Sequence, residues 1–121
     1  MNLGKRGELA AADFLKHNGY KVIFRNYKSR LGEIDIIAKD GDTVCFIEVK
    51  ARSSEKFGLP QEALSPFKQR QIGKVALWFL KQNNLLDKKA RFDVVSLVYL
   101  GQSPKIVLFK NAFDLDQSFT Y

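Results

Sequence analysis

Residues 32–50 read GEIDIIAKDGDTVCFIEVK, which is two strand-like runs on either side of a turn. Asp40-Gly41, between runs rich in Ile, Val, Thr and Phe, predicts a two-residue hairpin loop, because Asp and Gly tolerate the positive φ that such loops need. In this interpretation Lys39 pairs with Asp42 across the loop. Counting outward from that pair assigns a partner to every residue of the two strands.

The register also divides the hairpin into two faces, because directly opposed residues project to the same side of a sheet. The expected pairs are Ile37 with Val44, Asp35 with Phe46 and Glu33 with Glu48. One face then carries Glu33, Asp35, Val44, Phe46, Glu48 and Lys50. The other face carries Ile34, Ile36, Ala38, Thr43, Cys45, Ile47 and Val49. Since the second face is almost wholly apolar, we expect it to be core.

The charged face predicts a cation site. Asp35 and Glu48 are diagonal neighbours in this register, roughly 7 to 8 Å apart at the backbone, so that their carboxylates can converge on one ion. Glu33 directly opposite Glu48 is destabilising unless a cation, a proton or solvent relieves the repulsion. Oxygen ligands favour Mg²⁺ or Mn²⁺ over zinc. Lys50 projects to the same side, where an ammonium can orient a metal-bound water and offset charge on a phosphoryl group. The alternative is a solvated hairpin face with alternating polar residues.

Two segments carry a resemblance to a known family: Gly32-Glu33-Ile34-Asp35-Ile36-Ile37 and Phe46-Ile47-Glu48-Val49-Lys50. Together they resemble the Asp…Glu-x-Lys signature of the PD-(D/E)XK nuclease superfamily, although Ile34 stands where the superfamily's name places a proline. Over nearly all 121 residues, the chain resembles the small bacterial YraN-like family of uncharacterised, predicted endonucleases, which is similar to archaeal Holliday-junction resolvases. The resemblance implies a single nuclease-like domain over residues 1–121 and a metal bound by Asp35, Glu48 and the Val49 carbonyl.

The remaining elements agree with the fold that the resemblance implies. Helical spacing, an Asn18-Gly19 stop and a Ser65-Pro66 start predict two helices, and apolar runs predict the strands. The expected helices run from Leu3 to His17 and from Pro66 to about Asn83, and the expected further strands are Tyr20 to Tyr27, Arg91 to Leu100 and Lys105 to Lys110. The predicted class is α/β: a restriction-endonuclease-like core of order α-β-β-β-α-β with an additional C-terminal strand and a mixed central sheet flanked by helices.

Two polar residues outside the hairpin are further candidates. Glu8 falls on one helical stripe with Ala11, Ala12 and Leu15, and a carboxylate on an apolar stripe is usually paired or functional. In the resembled nucleases a first-helix glutamate helps to build the metal site, whereas a first-turn glutamate that complements the helix dipole is the alternative. Gln61 could orient a water or a phosphate oxygen, as polar residues near this position do in some relatives; an exposed loop glutamine is the alternative.

The charge of the chain favours a polyanionic partner. The formal net charge is +7 and the sequence pI is about 9.6, which suits phosphate contacts. The cations expected to flank the acidic cluster are Lys5, Arg6, Lys28, Arg30, Arg52, Lys56, Lys68 and Arg70. The N-terminus lacks the apolar stretch of a signal peptide and the longest apolar run is too short to span a bilayer, so we expect a cytoplasmic protein without a membrane partner.

These patterns predict a Mg²⁺- or Mn²⁺-dependent endonuclease acting on DNA, with branched or junction structures suggested by the resolvase likeness. Its predicted catalytic residues are Asp35, Glu48, Lys50 and Glu8, with Glu33 and Gln61 as accessory candidates. The alternatives are a catalytically inactive module that retains the fold and binds nucleic acid, and a protein-interaction domain. The resemblance also suggests a homodimer. Asp93 interrupts an apolar run and is expected only to hydrogen-bond a neighbouring element, so it stays outside the catalytic set.

Overall fold

The computed structural model describes residues 2–53 and 64–114. Within these ranges the chain forms two helices and five strands. In chain order they are α1 (Leu3–His17), β1 (Lys21–Ser29), β2 (Gly32–Asp40), β3 (Thr43–Arg52), α2 (Pro66–Gln82), β4 (Ala90–Tyr99) and β5 (Pro104–Phe109). The predicted element order, including the additional C-terminal strand, and the mixed α/β class are confirmed.

Both helices begin at side-chain caps. The Asn2 side chain accepts a hydrogen bond from the backbone N–H of Lys5 at 2.8 Å, and Ser65 Oγ accepts one from the backbone N–H of Lys68 at 3.1 Å. Pro66 occupies the first turn of α2, where a missing N–H costs nothing. Neither helix of the described residues is long and apolar enough to cross a membrane.

The strands form one mixed sheet in the order β1-β2-β3-β4-β5. All neighbouring strands are antiparallel except β3 and β4, which are parallel and connected through α2. The two helices cover opposite faces of the sheet. Along β3, Cys45 and Ile47 pack on the α1 side, whereas Val44 and Phe46 pack on the α2 side. Buried residues on the α1 side, here the α1-side core, include Ala11, Leu15, Ile36, Cys45, Ile47 and Leu97. Those on the other face, the α2-side core, include Ile34, Ile37, Val44, Phe46, Ile72 and Phe79.

The hairpin loop lies one residue later in the chain than predicted. Asp40 pairs with Thr43, so Gly41 and Asp42 form the loop, and Gly41 has a φ of +61°. A glycine at the first loop position without a positive φ at the second is the pattern of a type II′ turn, which Gly-Asp satisfies as well as Asp-Gly satisfies type I′. The predicted register is therefore wrong by two residues: Phe46, not Val44, is opposite Ile37.

A half-buried arginine, Arg91, explains why Asp40 belongs to the strand. Arg91 donates to Asp40 at 2.9 Å, to Asp93 at 2.9 Å and to the Tyr20 hydroxyl at 2.8 Å. Asp93 is fully buried and also accepts the backbone N–H of Asn111 at 2.9 Å, so it has the structural role expected of it. The Arg91 hydrogen bond lowers the pKa of Asp40 below its ordinary value. This group, here the Arg91 clamp, ties the end of β2 to β4 and to Tyr20, the residue before β1.

Side-chain alternation breaks in the first half of β2. Ile34 and Ile36 are two residues apart and should share a face, as predicted, but Ile34 lies in the α2-side core and Ile36 in the α1-side core. The paired residues of β2 and β3 also end at Ile36 with Ile47. The predicted face of Ile34 is therefore wrong, and the irregularity is centred on Asp35.

Strand β1 is also irregular where it runs beside Asp35 of β2. Asn26 in β1 has a φ of +55°, a left-handed conformation that asparagine tolerates better than most residues. Phe24 and Tyr27 are three residues apart, yet both make edge contacts with Phe79 of α2. Continuing the β1–β2 pairing places Asn26 beside Asp35. Both strands thus change face at the same point of the sheet.

Close packing of α1 on β3 generates a stability prediction. A Cβ at Gly7 would lie 2.6 Å from the Cβ of Ala51, whereas a Cβ at Gly4 would lie 3.5 Å from its nearest neighbour. We expect Gly7→Ala to destabilise the fold by about 1 to 3 kcal/mol despite its better helix propensity, because the helix must move off the sheet. Denaturant unfolding of the variant measures this loss.

Gly4→Ala is the matched control, since it adds the same methyl group to the same helix and should be neutral or slightly stabilising. In an Ala51→Gly background the Gly7→Ala penalty should shrink, and a double-mutant cycle gives the coupling. Equal effects of Gly4→Ala and Gly7→Ala would contradict the close approach of α1 to β3.

Candidate active site

An open cleft of about 530 Å³ lies between the N-terminal half of α1 and strands β1, β2 and β3. Its lining residues are Asn2, Gly4, Lys5, Glu8, Asn26, Lys28, Glu33, Asp35 and Val49. Three of the predicted acids and two of the predicted phosphate-binding lysines are among them. The structure therefore brings together residues that are far apart in the sequence and were predicted to act together.

The corrected register changes which acids oppose each other. Glu33 is not opposite Glu48, so the predicted repulsion between these two is wrong. The ladder ends with Ile36 opposite Ile47, and one further step places Asp35 beside Glu48. The like-charge pair is thus Asp35 and Glu48, the same two residues that were predicted to share a cation.

Asp35 is held at the end of the ladder by the backbone of β3. The Val49 N–H donates to Asp35 Oδ2 at 2.8 Å. This bond fixes one carboxylate oxygen and positions the Asp35 side chain next to the adjacent residue, Glu48. Asp35 is partly exposed and lines the cleft, so its carboxylate is accessible from solvent.

Glu48 is buried without a full set of partners. Its side chain is 4% exposed, and Oε1 has no hydrogen-bond partner among the residues that the structure describes. Burial, the negative charge of Asp35 and a hydrogen bond between the two carboxyl groups together raise the pKa of Glu48 to about 8, although Lys68 and Lys50 oppose the rise. A buried acid beside a second acid is an arrangement that a cation would stabilise.

Glu8 belongs to the same electrostatic group. It lies beyond the first turn of α1, which contains no acidic residue, so complementing the helix dipole does not explain it. Burial raises the pKa of Glu8, and the negative charges of Asp35 and Glu33 raise it as well, while Arg25 and Lys5 oppose them. The helix thus brings a third carboxyl group toward the pair.

The donor set fits a hard cation that keeps part of its water shell. Among residues 2–53 and 64–114, no three His, Cys, Asp or Glu side chains are grouped closely enough to hold a metal ion by themselves. Asp35 and Glu48 supply two carboxylates, and the Val49 carbonyl belongs to the same segment of β3. Oxygen ligands in small number suit Mg²⁺ or Mn²⁺. Cys45, the only thiol of the chain, lies in the α1-side core.

Three predicted phosphate-binding residues lie near the acids. Lys5 and Lys28 line the cleft, and Lys68 at the start of α2 is close enough to oppose the rise in the pKa of Glu48. Cations thus approach the acidic pair both from the cleft and from α2.

Three other predicted phosphate-binding residues, Arg6, Arg30 and Arg70, lie outside the cleft lining. The Arg6 guanidinium lies 4.7 Å from the centre of the Tyr99 ring, on β4, and is engaged in a cation–π contact. Arg30 and Arg70 are exposed, in the β1–β2 turn and on α2 respectively.

The remaining candidates flank the gap in the described residues. Arg52 is the last residue of β3 and is partly exposed. Lys56 and Gln61 lie outside the described residues, so their predicted roles stay predictions.

Asn26 is a cleft residue that the sequence did not reveal as one. It lines the cleft beside Asp35 and Glu8, and its amide can donate and accept hydrogen bonds. The signal available was an asparagine inside a strand-like run, because asparagine is depleted in strands and enriched at positive φ. That signal indicates an irregular strand without indicating what the irregularity serves.

Comparison with known proteins shows the family. The model of the uncharacterised protein family UPF0102 matches residues 7–97. The chain belongs to the UPF0102 family. The matched region begins one residue before Glu8 and contains Asp35, Glu48 and Lys50, so the family match covers the whole predicted catalytic set.

Curated UPF0102 relatives match almost end to end. A UPF0102 protein of Geobacter metallireducens is 49% identical over 114 residues, covering 94% of this chain and 93% of the relative. Another, of Persephonella marina, is 42% identical over 113 residues, covering 93% and 94%. Their names state the family and no activity. The expectation of a family of uncharacterised proteins is therefore confirmed at this level.

The raised pKa of Glu48 predicts a pH dependence of stability in this UPF0102 chain without metal. Below its ordinary pKa of 4.5 the carboxyl is protonated in both folded and unfolded chains; above about 8 it is ionised in both, and only the folded chain bears the cost of burial. As the pH rises from 4.5 to about 8, the free energy of unfolding of the wild type should therefore fall by roughly a few kcal/mol relative to that of Glu48→Gln. Each pKa unit corresponds to about 1.4 kcal/mol. Urea unfolding of both proteins in EDTA from pH 4 to 9 measures the difference.

Glu33→Gln removes an exposed carboxylate from the same cleft and controls for the loss of one negative charge. Stability curves of the wild type and Glu48→Gln that run parallel across this pH range would contradict the burial of an unpaired acid. Addition of Mg²⁺ at pH 8 should stabilise the wild type more than Glu48→Gln, because the ion replaces the missing partner.

Proposed function

We propose that this UPF0102 protein is a metal-dependent endonuclease that hydrolyses DNA phosphodiester bonds, with the restriction-endonuclease-like fold of the PD-(D/E)XK nucleases. One observation carries the proposal: Glu48 is 4% exposed beside Asp35, with one carboxylate oxygen unpaired among the described residues. A solvated hairpin face does not account for a buried acid. A site that binds a cation between acid and substrate does.

The ion would be held by Asp35, Glu48 and the Val49 carbonyl. When bound, Mg²⁺ or Mn²⁺ supplies a more acidic water and stabilises charge on the phosphoryl oxygens. The Val49 N–H bond to Asp35 holds that carboxylate in place before substrate arrives. Preorganisation of this kind matters because reorientation during the reaction would add to the barrier.

Lys50 and Glu8 complete the proposed catalytic set. Lys50 acts on Glu48 electrostatically, and its ammonium would orient the attacking water and offset the negative charge that develops on the phosphoryl oxygens. Glu8, whose pKa is raised by burial and by Asp35, would accept a hydrogen bond from the same water. Proton transfer to a positioned carboxylate contributes up to about 10²- to 10⁴-fold to the rate.

The cleft supports DNA rather than a small phosphate ester as the substrate. It is open, about 530 Å³ in volume, and carries Lys5 and Lys28 on its walls. The whole chain has a net charge of +7, which attracts a polyanion over a distance comparable to the Debye length. The likeness to junction resolvases makes branched DNA the first structure to test.

Cleavage of linear, single-stranded, flapped and four-way DNA with Mg²⁺ or Mn²⁺ tests the proposal. We expect cleavage that EDTA abolishes and that falls by at least about 100-fold in Asp35→Asn, Glu48→Gln and Lys50→Ala, because the first two each remove a proposed metal ligand and the third removes the proposed cation beside the phosphate. Initial rates on a labelled four-way junction give these ratios.

Asp42→Asn is the matched control, because it neutralises an exposed acid in the hairpin loop, outside the cleft, and should cleave like the wild type. Wild-type activity that survives in Glu48→Gln and Asp35→Asn would overturn the proposed site. Salt-sensitive DNA binding without any metal-dependent cleavage would instead favour a binding module that retains the fold.

A further inference from the structure

The exposed face of α2 carries a regular line of aromatic and basic residues. Moving along the helix by three or four residues at a time, which keeps to one face, meets one exposed side chain after another. This outer stripe consists of Phe67, Arg70, Lys74, Trp78 and Lys81. The opposite side of the helix, with Ile72, Val75 and Phe79, is buried in the α2-side core. The outer stripe therefore lies on the solvent-exposed side of the helix.

The two aromatic side chains are unusually open to solvent. Phe67 is 68% exposed and Trp78 is 45% exposed. Single exposed apolar residues are normal on protein surfaces, and Leu86 and Leu100 are examples in this chain. Phe67 and Trp78 differ from these isolated residues, because they share one helix face with basic residues between and beyond them.

The charge of α2 has one sign. The helix contains four lysine or arginine residues and no aspartate or glutamate. A helix stabilised for solubility alone usually carries both signs, because opposite charges three or four residues apart attract each other. The charge is therefore complementary to a polyanion, and the interleaved rings indicate that this polyanion also presents flat apolar surfaces.

From this arrangement we propose that the outer stripe of α2 binds an unpaired DNA strand, with Phe67 and Trp78 stacking on bases and the cations contacting phosphates. Duplex DNA keeps its base faces stacked inside the helix, whereas an unpaired strand exposes them to aromatic side chains. Phe67 and Trp78 are about 16 Å apart along the helix at 1.5 Å per residue. A single strand of several nucleotides can therefore contact both rings and the cations between them.

The stripe is separate from the cleft but starts beside the acidic pair. Lys68, the residue after Phe67, acts electrostatically on Glu48. A strand lying on the stripe would thus lead away from the region of Asp35 and Glu48. Strand binding on α2 stands without the proposed hydrolysis; only its consequence, cutting near the boundary between paired and unpaired DNA, rests on the proposed function.

Trp78 provides a direct probe, because it is the only tryptophan in the chain. We expect a twelve-residue oligothymidylate to quench its fluorescence in EDTA, where no metal-dependent cleavage takes place. Phe67→Ala should weaken binding by about five-fold or more, in the range measured for loss of one base-stacking ring. Arg70→Gln should reduce the slope of log affinity against log salt by about 0.7, the value for one phosphate contact to a single strand.

Two matched controls separate the stripe from the rest of the surface. Leu86→Ala removes another exposed apolar side chain, and Lys88→Gln removes another exposed cation; both variants should bind the strand like the wild type. An abasic strand of the same length should bind more weakly and leave Trp78 unquenched, because it has phosphates but no bases.

Three results would overturn the inference: no quenching by the oligothymidylate, equal quenching by a blunt duplex or by the abasic strand, or equal losses in the controls and in Phe67→Ala. A change of oligomeric state in Phe67→Ala, measured by sedimentation, together with unchanged strand binding would assign the stripe to a protein interface instead. Since all of these measurements are made in EDTA, their failure would leave the cleavage proposal standing, and loss of cleavage would leave strand binding standing.

Discussion

The burial of Glu48 beside Asp35 constrains the whole arrangement of strands and helices around it. Glu48 belongs to β3, which lies between β2 and β4, and is only 4% exposed. An unpaired buried oxygen costs free energy, and so does a second carboxyl group next to it. A fold that retains a buried acid beside a second carboxyl group must be stabilised by its apolar cores and by interactions elsewhere in the sheet.

The Arg91 clamp supplies one of those interactions at the far end of the same hairpin. By binding Asp40, Asp93 and Tyr20, Arg91 fixes where the turn begins. The pairing of β2 with β3 runs without interruption from Asp40 to Ile36. The register of this pairing then places Asp35 beside Glu48. A structural ion pair and a candidate functional pair are thus connected through one register.

Local signals were sufficient for the helices but not for the hairpin. The cap at Ser65 and the stop after His17 depend only on neighbouring residues. The sequence therefore predicts the start of α2 and the end of α1 well. The choice between Asp40 as a loop residue and as a strand residue depends on Arg91, which is 51 positions away, and no turn rule contains that contact. Because the error was two residues, Phe46 and Glu48 stayed on the predicted face while all their partners changed.

The irregularity at Asp35 shows why a candidate site is harder to predict than a core. Strict alternation would put Asp35 on the same face as Ile37, and so on the α2 side. The break between Ile34 and Ile36, matched by the left-handed Asn26, instead lets Asp35 open onto the cleft that Glu8 of α1 lines. Patterns that assume regular strands fail at this point because the departure from regularity is what brings residues of both faces to one place.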